Sequence, residues 1–365
     1  MEPLQGPTGN DFRVLQIHPT LRCNLKCPHC YSASGPRIKQ ELPLDLLTRA
    51  VSDAHAEGYN VVSFSGGEPL MYRPLQRLLE HARSLGLITS ITTNGMLITA
   101  ARMQQLRGAL DLIAISLDGV EASHNQMRGN SKAFAAMKHA LDHVRDAGVP
   151  FGFIFTLTLF NLDELEEVAS FAAAQGAALL QVHPLEEVGR AQELLADSAP
   201  DELELTYAYV EAARIQKMFG DKLRVQFDVV DRELIRDQPA RVYAIDGPDQ
   251  EIPVGQPLAA LVSPLVIEDD GTVVPIQYGF SRSYAAGNLH KGTLKAHAAH
   301  WKSTLYKPFL QLCRNVFSEL LAAEQSHSPF VNWYGKITRA SYEFPSPGMH
   351  KRLPVAQLAP ISLSQ

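Results

Sequence analysis

The sequence predicts an α/β fold: a partial (β/α)6 barrel of parallel strands followed by a smaller C-terminal α+β extension. Two features carry that expectation. Through roughly the first 228 residues, short apolar runs alternate with longer segments of helical period. Repeated β-then-α units imply a parallel sheet with right-handed crossovers, closed or partly closed. Beyond that point the rhythm changes to a hairpin signal and a helix.

The strand candidates are residues 12–18, 61–64, 88–92, 110–117, 151–158 and 179–182, with 223–227 as a possible seventh. Between the first two, Leu44, Leu47, Val51 and Ala54 mark one face of a helix that stops before Gly58. Similar helices fit residues 74–85, 99–106, 132–147, 162–174 and 201–218. In such a sheet, ligand sites gather at the carboxyl ends of the strands. Later, residues 261–268 and 272–277 flank Asp269-Asp270-Gly271, a turn suited to a β-hairpin. A helix is expected over residues 305–323, and the tail from Pro345, rich in Pro, Ser and Leu, reads as extended or mobile. The expected organisation is a tail at 1–11, a core domain at 12–230, an extension at 231–344 and a second tail at 345–365.

The chain has 365 residues, 45% of them hydrophobic, enough to bury a substantial core. Its formal charge is 33 − 39 = −6, which argues against a general nucleic-acid surface. No run approaches the ~18 apolar residues of a membrane span. The opening MEPLQGPTGNDFRV lacks the pattern of a secretory signal. Only four cysteines occur, and three fall in one short loop rather than spread as a disulfide framework. A metal-binding role in a reducing cytoplasm is expected.

That loop follows the first strand and reads Cys23-Asn-Leu-Lys-Cys27-Pro-His-Cys30-Tyr, a C-x3-C-x2-C spacing. Three thiolates so close can face one iron–sulfur cluster, since cluster iron prefers soft sulfur. Three protein ligands for four irons leave one iron open to a ligand. The alternatives are a zinc site using these cysteines with His29 or His18, or a ferredoxin-like carrier. The second lacks a fourth nearby cysteine, because Cys313 is far along the chain.

Further motifs follow in chain order at strand ends: Ser65-Gly66-Gly67-Glu68-Pro69, Thr93-Asn94-Gly95 and Ser116-Leu117-Asp118-Gly119, then His124 and Arg128-Gly129. With the cysteine loop, in which His29 holds the aromatic-type position before the last cysteine, they resemble the radical S-adenosylmethionine (SAM) superfamily over roughly residues 12–228. The resemblance implies one [4Fe–4S] cluster on Cys23, Cys27 and Cys30, with SAM chelating the open iron. It also implies reductive cleavage of SAM to methionine and a 5′-deoxyadenosyl radical that takes hydrogen from a substrate. A cellular one-electron reductant such as flavodoxin or ferredoxin would be needed.

In that context Gly66 and Gly67 let backbone approach a ligand closely, where exposed backbone groups can bind the SAM amino group, and Glu68 adds a charged acceptor. Ser116 and Asp118 offer a hydroxyl and a carboxylate for SAM, although such residues often only cap a helix. Arg128 could pair with the SAM carboxylate through its planar fork, and Asn94 either contacts SAM or shapes a turn. Val182-His183-Pro184 ends the sixth strand, where family members often contact adenine; a structural His183 is the alternative. Lys26 and Arg22 could offset negative charge.

The stretch 268–275, followed by Gly287-Asn288-Leu289, resembles a SPASM or twitch extension, but Ile276 stands where a cysteine is common. The auxiliary-cluster cysteines are missing, so the extension reads as a clusterless remnant able to line a substrate cavity; the tract 277–284 either contacts a substrate or, as the favoured expectation, simply packs. The expected substrate is a peptide or cofactor precursor. Small-molecule biosynthesis and a non-catalytic iron–sulfur sensor are the alternatives, and the expected setting is cytoplasmic, without nucleic-acid or membrane partners. Cys313 is the one thiol outside the motif and the one candidate hydrogen donor to a substrate radical; burial in a helix is the competing expectation.

Overall fold

Alternate side chains along each core strand point under a layer of helices, and this sorting organises the molecule. The computed structural model describes residues 12–237, 255–322 and 329–346. In β1 (Val14–Ile17), Leu15 and Ile17 are buried while Val14 and Gln16 are less so. β2 (Val61–Phe64) buries Val62 and Phe64, and β3 (Ile88–Thr93) buries Thr89, Ile91 and Thr93. A period of two is what a sheet covered on one face demands. The helices meet it with complementary stripes. α1 (Leu44–Ala56) buries Leu47, Ala50, Val51 and Ala54, and α2 (Leu75–Ser84) buries Leu75, Leu78, Leu79 and Ala82. Each fully buried leucine contributes about 1.5–3 kcal/mol.

The pattern continues through α3 (Ala100–Leu106), β4 (Leu112–Ser116), α4 (Glu121–Arg128), α5 (Ala133–Ala147), β5 (Phe151–Leu157), α6 (Leu165–Ala174) and β6 (Leu179–Pro184). The short α7 (Ala191–Leu194), the long α8 (Glu202–Phe219) and β7 (Arg224–Phe227) complete the core. α8 starts with a reciprocal capping box between Asp201 and Glu204. All seven strands pair in parallel, in sequence order. The expected barrel is an open sheet rather than a closed ring.

The extension does not form a separate layer. β9 (Leu265–Ile267) pairs in parallel with β1, and β10 (Thr272–Pro275) turns back antiparallel to it around Asp269-Asp270-Gly271. With β11 (Gly287–Asn288) they make one sheet of ten strands, ordered β11-β10-β9-β1-β2-β3-β4-β5-β6-β7. β8 (Val230–Asp231) and α9 (Arg232–Asp237) follow the core, and β8 pairs with β12 (Phe330–Val331). α10 (Leu294–Thr304), α11 (Tyr306–Ala322) and α12 (Trp333–Glu343) finish the extension.

The sequence reading missed the short α7 and α9, and also α4, α10 and α12. In the last three, apolar residues are sparse and mixed with Gly, His and Ser, so neither period stands out. The tail at 1–11 and nearly all of that at 345–365 lie outside the described residues.

Candidate metal centre

The loop after β1 is folded back on itself by backbone bonds. Cys23 N–H donates to the Gly35 carbonyl, Gly35 N–H to Leu21, and Cys30 N–H to Cys27. Cys23 and Cys27 are buried and Cys30 is half-buried, with Leu25 and Met96 packed beside them. Burial pushes the Cys23 thiol up to about 12, and the charges of Glu68, Cys27 and Cys30 push the same way. Cys27 is also raised by burial, with Arg128 opposing. Thiols held within reach of each other's charge favour a shared cation as partner. Among the described residues, no three His, Cys, Asp or Glu side chains converge as one metal ion would require. A multinuclear cluster takes one thiolate per iron.

Three neighbouring strand ends brace the loop. Gly67 N–H donates to the Thr20 carbonyl and Glu68 N–H to that of Arg22. Gly66 has a φ of +105°, and a Cβ there would lie 2.5 Å from the Thr20 carbonyl. A Cβ on Gly67 would run into the Arg22 carbonyl. The close approach expected at these glycines is therefore made first to the cysteine loop itself. Glu68, 1% exposed, accepts from Leu70 N–H, Thr93 Oγ1 and Asn94 N–H, so its carboxylate ties two strand ends together. Burial raises its pKa while these donors oppose the rise. Asn94 donates through Nδ2 to Asn24 Oδ1 at 2.8 Å, and Nδ2 lies 3.9 Å from the Cys23 sulfur.

From β4 and α4 comes a buried charged group. Asp118, fully buried, pairs with Arg128 at 2.6 Å, accepts from Thr156 N–H and lies 3.8 Å from His29 Nε2. Its carboxyl would be raised by burial alone, but Arg128 and the two nearby histidines hold it below the usual range. The Arg128 charge also works against the rise of the Cys27 thiol. Burial lowers His29 and His124 to about 4 each, so both are neutral near pH 7. Ser116 sits at the carboxyl end of β4, 8% exposed.

Sequence reasoning missed Arg190. It donates through Nε to the Cys27 carbonyl at 2.8 Å and through Nη1 to that of Ser34 at 2.7 Å. Only its place just after the sixth strand pointed to it. Tyr31 also gains a partner from far along the chain: Tyr278 of the extension packs edge-on against it at 5.6 Å and stacks on His18 at 4.6 Å. The extension thus reaches the cysteine loop through a cluster of rings.

Two candidate residues lie in the core. The Val182 side chain is fully buried, because strand alternation turns it under the helices. Its neighbour His183 points to the other face, with Nδ1 3.1 Å from Asp228 and Nε2 3.8 Å from Glu186. Cys313 is also fully buried, on the inner face of α11, and burial pushes its thiol far up, as the competing expectation of a packed cysteine has it.

Residues 17–172 match the Radical SAM superfamily. Over 323 residues the chain is 24% identical to Fe-coproporphyrin III synthase of Methanosarcina barkeri, covering 86% of this chain and 76% of that protein. It is 26% identical over 207 residues to the sporulation killing factor maturation protein SkfB of Bacillus subtilis, covering 56% of this chain and 50% of SkfB. The chain thus spans about half the length of that second relative. Native anSMEcpe with bound AdoMet shares the fold, with a TM-score of 0.60 at 18% identity over 91% of this chain and 96% of that one.

Proposed function

From the match of residues 17–172 to the Radical SAM superfamily we propose that the chain is a radical SAM enzyme carrying one [4Fe–4S] cluster on Cys23, Cys27 and Cys30. The single observation that supports it best is one loop holding three cysteines, two buried and one half-buried, clamped by three strand ends and by Arg190. When bound, the cluster supplies the electron that cleaves SAM and so starts hydrogen abstraction from a substrate.

The chain's own residues do the rest. Glu68 and Asn94 fix the loop, so the open side of the site keeps its shape when ligands exchange. Ser116, at the end of β4, and the backbone at Gly66 and Gly67 are the groups proposed to meet SAM. His183 and Gln181 share one face of β6 and both meet Asp228, and Tyr31 packs with Tyr278 of the extension.

For the substrate we favour a cofactor precursor of the porphyrin class. The relative aligned over most of both chains is a synthase named for such a product. A peptide is the second reading, supported by likeness to a peptide-maturation protein over half of each chain. The test is an anaerobic assay of reconstituted protein with SAM, a reductant and either candidate iron tetrapyrrole precursors or candidate peptides, read by mass spectrometry. 5′-Deoxyadenosine formed in step with appearance of an iron porphyrin product supports the first reading. A mass change confined to peptide sinks it, and no 5′-deoxyadenosine under any condition sinks both.

A further inference from the structure

The motif resemblance assigns Arg128 to the SAM carboxylate, yet its surroundings show other work. We propose that Arg128, balanced on one side by Asp118, is a positioning residue that holds positive charge against Cys27 and thereby raises the reduction potential of the cluster carried there. This rests on the radical SAM reading of the cysteine loop.

Four observations place the charge. The Arg128–Asp118 pair is 2.6 Å long, with both side chains nearly or fully out of water. The Arg128 guanidinium lies near enough to Cys27 for the positive charge to favour the thiolate. The helix that carries it is stopped by Gly129, whose φ of +61° suits glycine and whose Cβ position lies 3.2 Å from the Lys26 carbonyl. The end of α4 is therefore pressed onto the cysteine loop and has little freedom to swing away. Asp118 is itself anchored by Thr156 N–H from β5, so the chain of contacts runs from sheet to carboxylate to guanidinium, beside the cysteine loop.

Other cations near the loop do less at the sulfurs. Lys26 is exposed, and the Arg190 guanidinium is turned to the carbonyls of Cys27 and Ser34. A cluster bound by thiolates gains negative charge on reduction, and a buried neighbouring cation stabilises that form more than a solvated one can. Asp118 moderates the effect and keeps the guanidinium in place when the cluster is absent.

The test uses the full chain, reconstituted anaerobically, as wild type, Arg128→Gln, Arg128→Lys and Asp118→Asn. Iron per chain, midpoint potential by dye-mediated titration followed by EPR, and SAM affinity by equilibrium dialysis are measured on each. Arg128→Gln should keep its iron and shift to a more negative potential, Arg128→Lys should restore much of the shift, and Asp118→Asn should move it in the positive direction. An unchanged potential with SAM affinity weakened roughly tenfold or more, the size of a lost charged contact, would overturn the proposal in favour of the carboxylate role. If Arg128→Gln fails to hold iron, the comparison of Arg128→Lys and Asp118→Asn with wild type decides, and no shift in either is again a refutation. Wild-type protein that binds iron but far from about four per chain marks failure of the radical SAM reading itself, and this inference falls with it.

Discussion

Glu68 accepts the backbone N–H of Asn94 at 2.9 Å, and this bond fastens the loop after β2 to the loop after β3. Asn94 in turn holds Asn24, inside the cysteine loop, so one carboxylate organises three strand ends. The site is stiff because its brace is made of buried, mutually satisfied groups, and stiffness is what a ligand-exchanging centre needs.

Gly67→Val should therefore damage iron binding as well as SAM binding. The added side chain would collide with the Arg22 carbonyl and displace the cysteine loop. Overpacking of this kind costs about 1–3 kcal/mol or more. A thermal melt and an iron count check it; a variant with wild-type iron and only weakened SAM affinity would show that the loop tolerates the intrusion.

Cys27→Ala should lose iron outright, because two thiolates hold a cubane poorly. Reconstituted wild type should carry about four irons per chain and the variant close to none. SAM cleavage by the variant at a comparable rate would disprove the ligand assignment.

Glu268 gives the extension a pH dependence. Burial raises its carboxyl to about 7 despite the Arg282 partner at 2.5 Å and the Gly279 N–H donor. A folded-state pKa above the unfolded one contributes stability that is complete below the ordinary carboxyl range and is lost as pH rises toward 7. For a group 1% exposed, the change is on the order of 3 kcal/mol. Denaturant midpoints of wild type should fall between pH 4.5 and 7.5 more steeply than those of Glu268→Gln, and parallel curves would refute the assignment.

His183 should stay protonated through neutral pH. Burial works against its charge, but the hydrogen bond to Asp228 and the Glu186 carboxylate outweigh it and raise the pKa to about 9. NMR of ring-labelled histidine should show one imidazolium that titrates late in wild type and earlier in Asp228→Asn. A residue titrating near 6.5 in both would exclude the carboxylate clamp.

Cys313→Ala should leave iron content and SAM cleavage unchanged and lower stability by roughly 0.5–3 kcal/mol, the usual range for a small buried loss. Loss of product formation with the cluster intact would revive the thiol as a hydrogen donor.

Much of the core was legible because its strands are short apolar runs closed by Gly, Asn or Asp, and the strand over 61–64 has the bounds expected from sequence. The cysteine spacing and the strand-end motifs pointed to residues that the fold brings into one region. What sequence did not disclose was orientation. Val182 and His183 are adjacent, and only the pleat decides that one is core and the other points to the opposite face. Nor could spacing tell that Arg128 meets Asp118, ten residues back across a helix, or that Arg190 returns to Cys27. Such pairings depend on how loops stack once the strands have assembled.

The pairing of β9 with β1 has a consequence for truncation. Because β9 lies on one side of β1 and β2 on the other, the strand that leads into the cysteine loop has neighbours on both flanks. A fragment ending before β9 would present one side of that strand as an unpaired row of amides and carbonyls, a template for aggregation. The extension thus guards the strand that leads into the cysteine loop, a role that needs no cysteines of its own. The core cut free of it should be the less soluble protein, however complete its motifs.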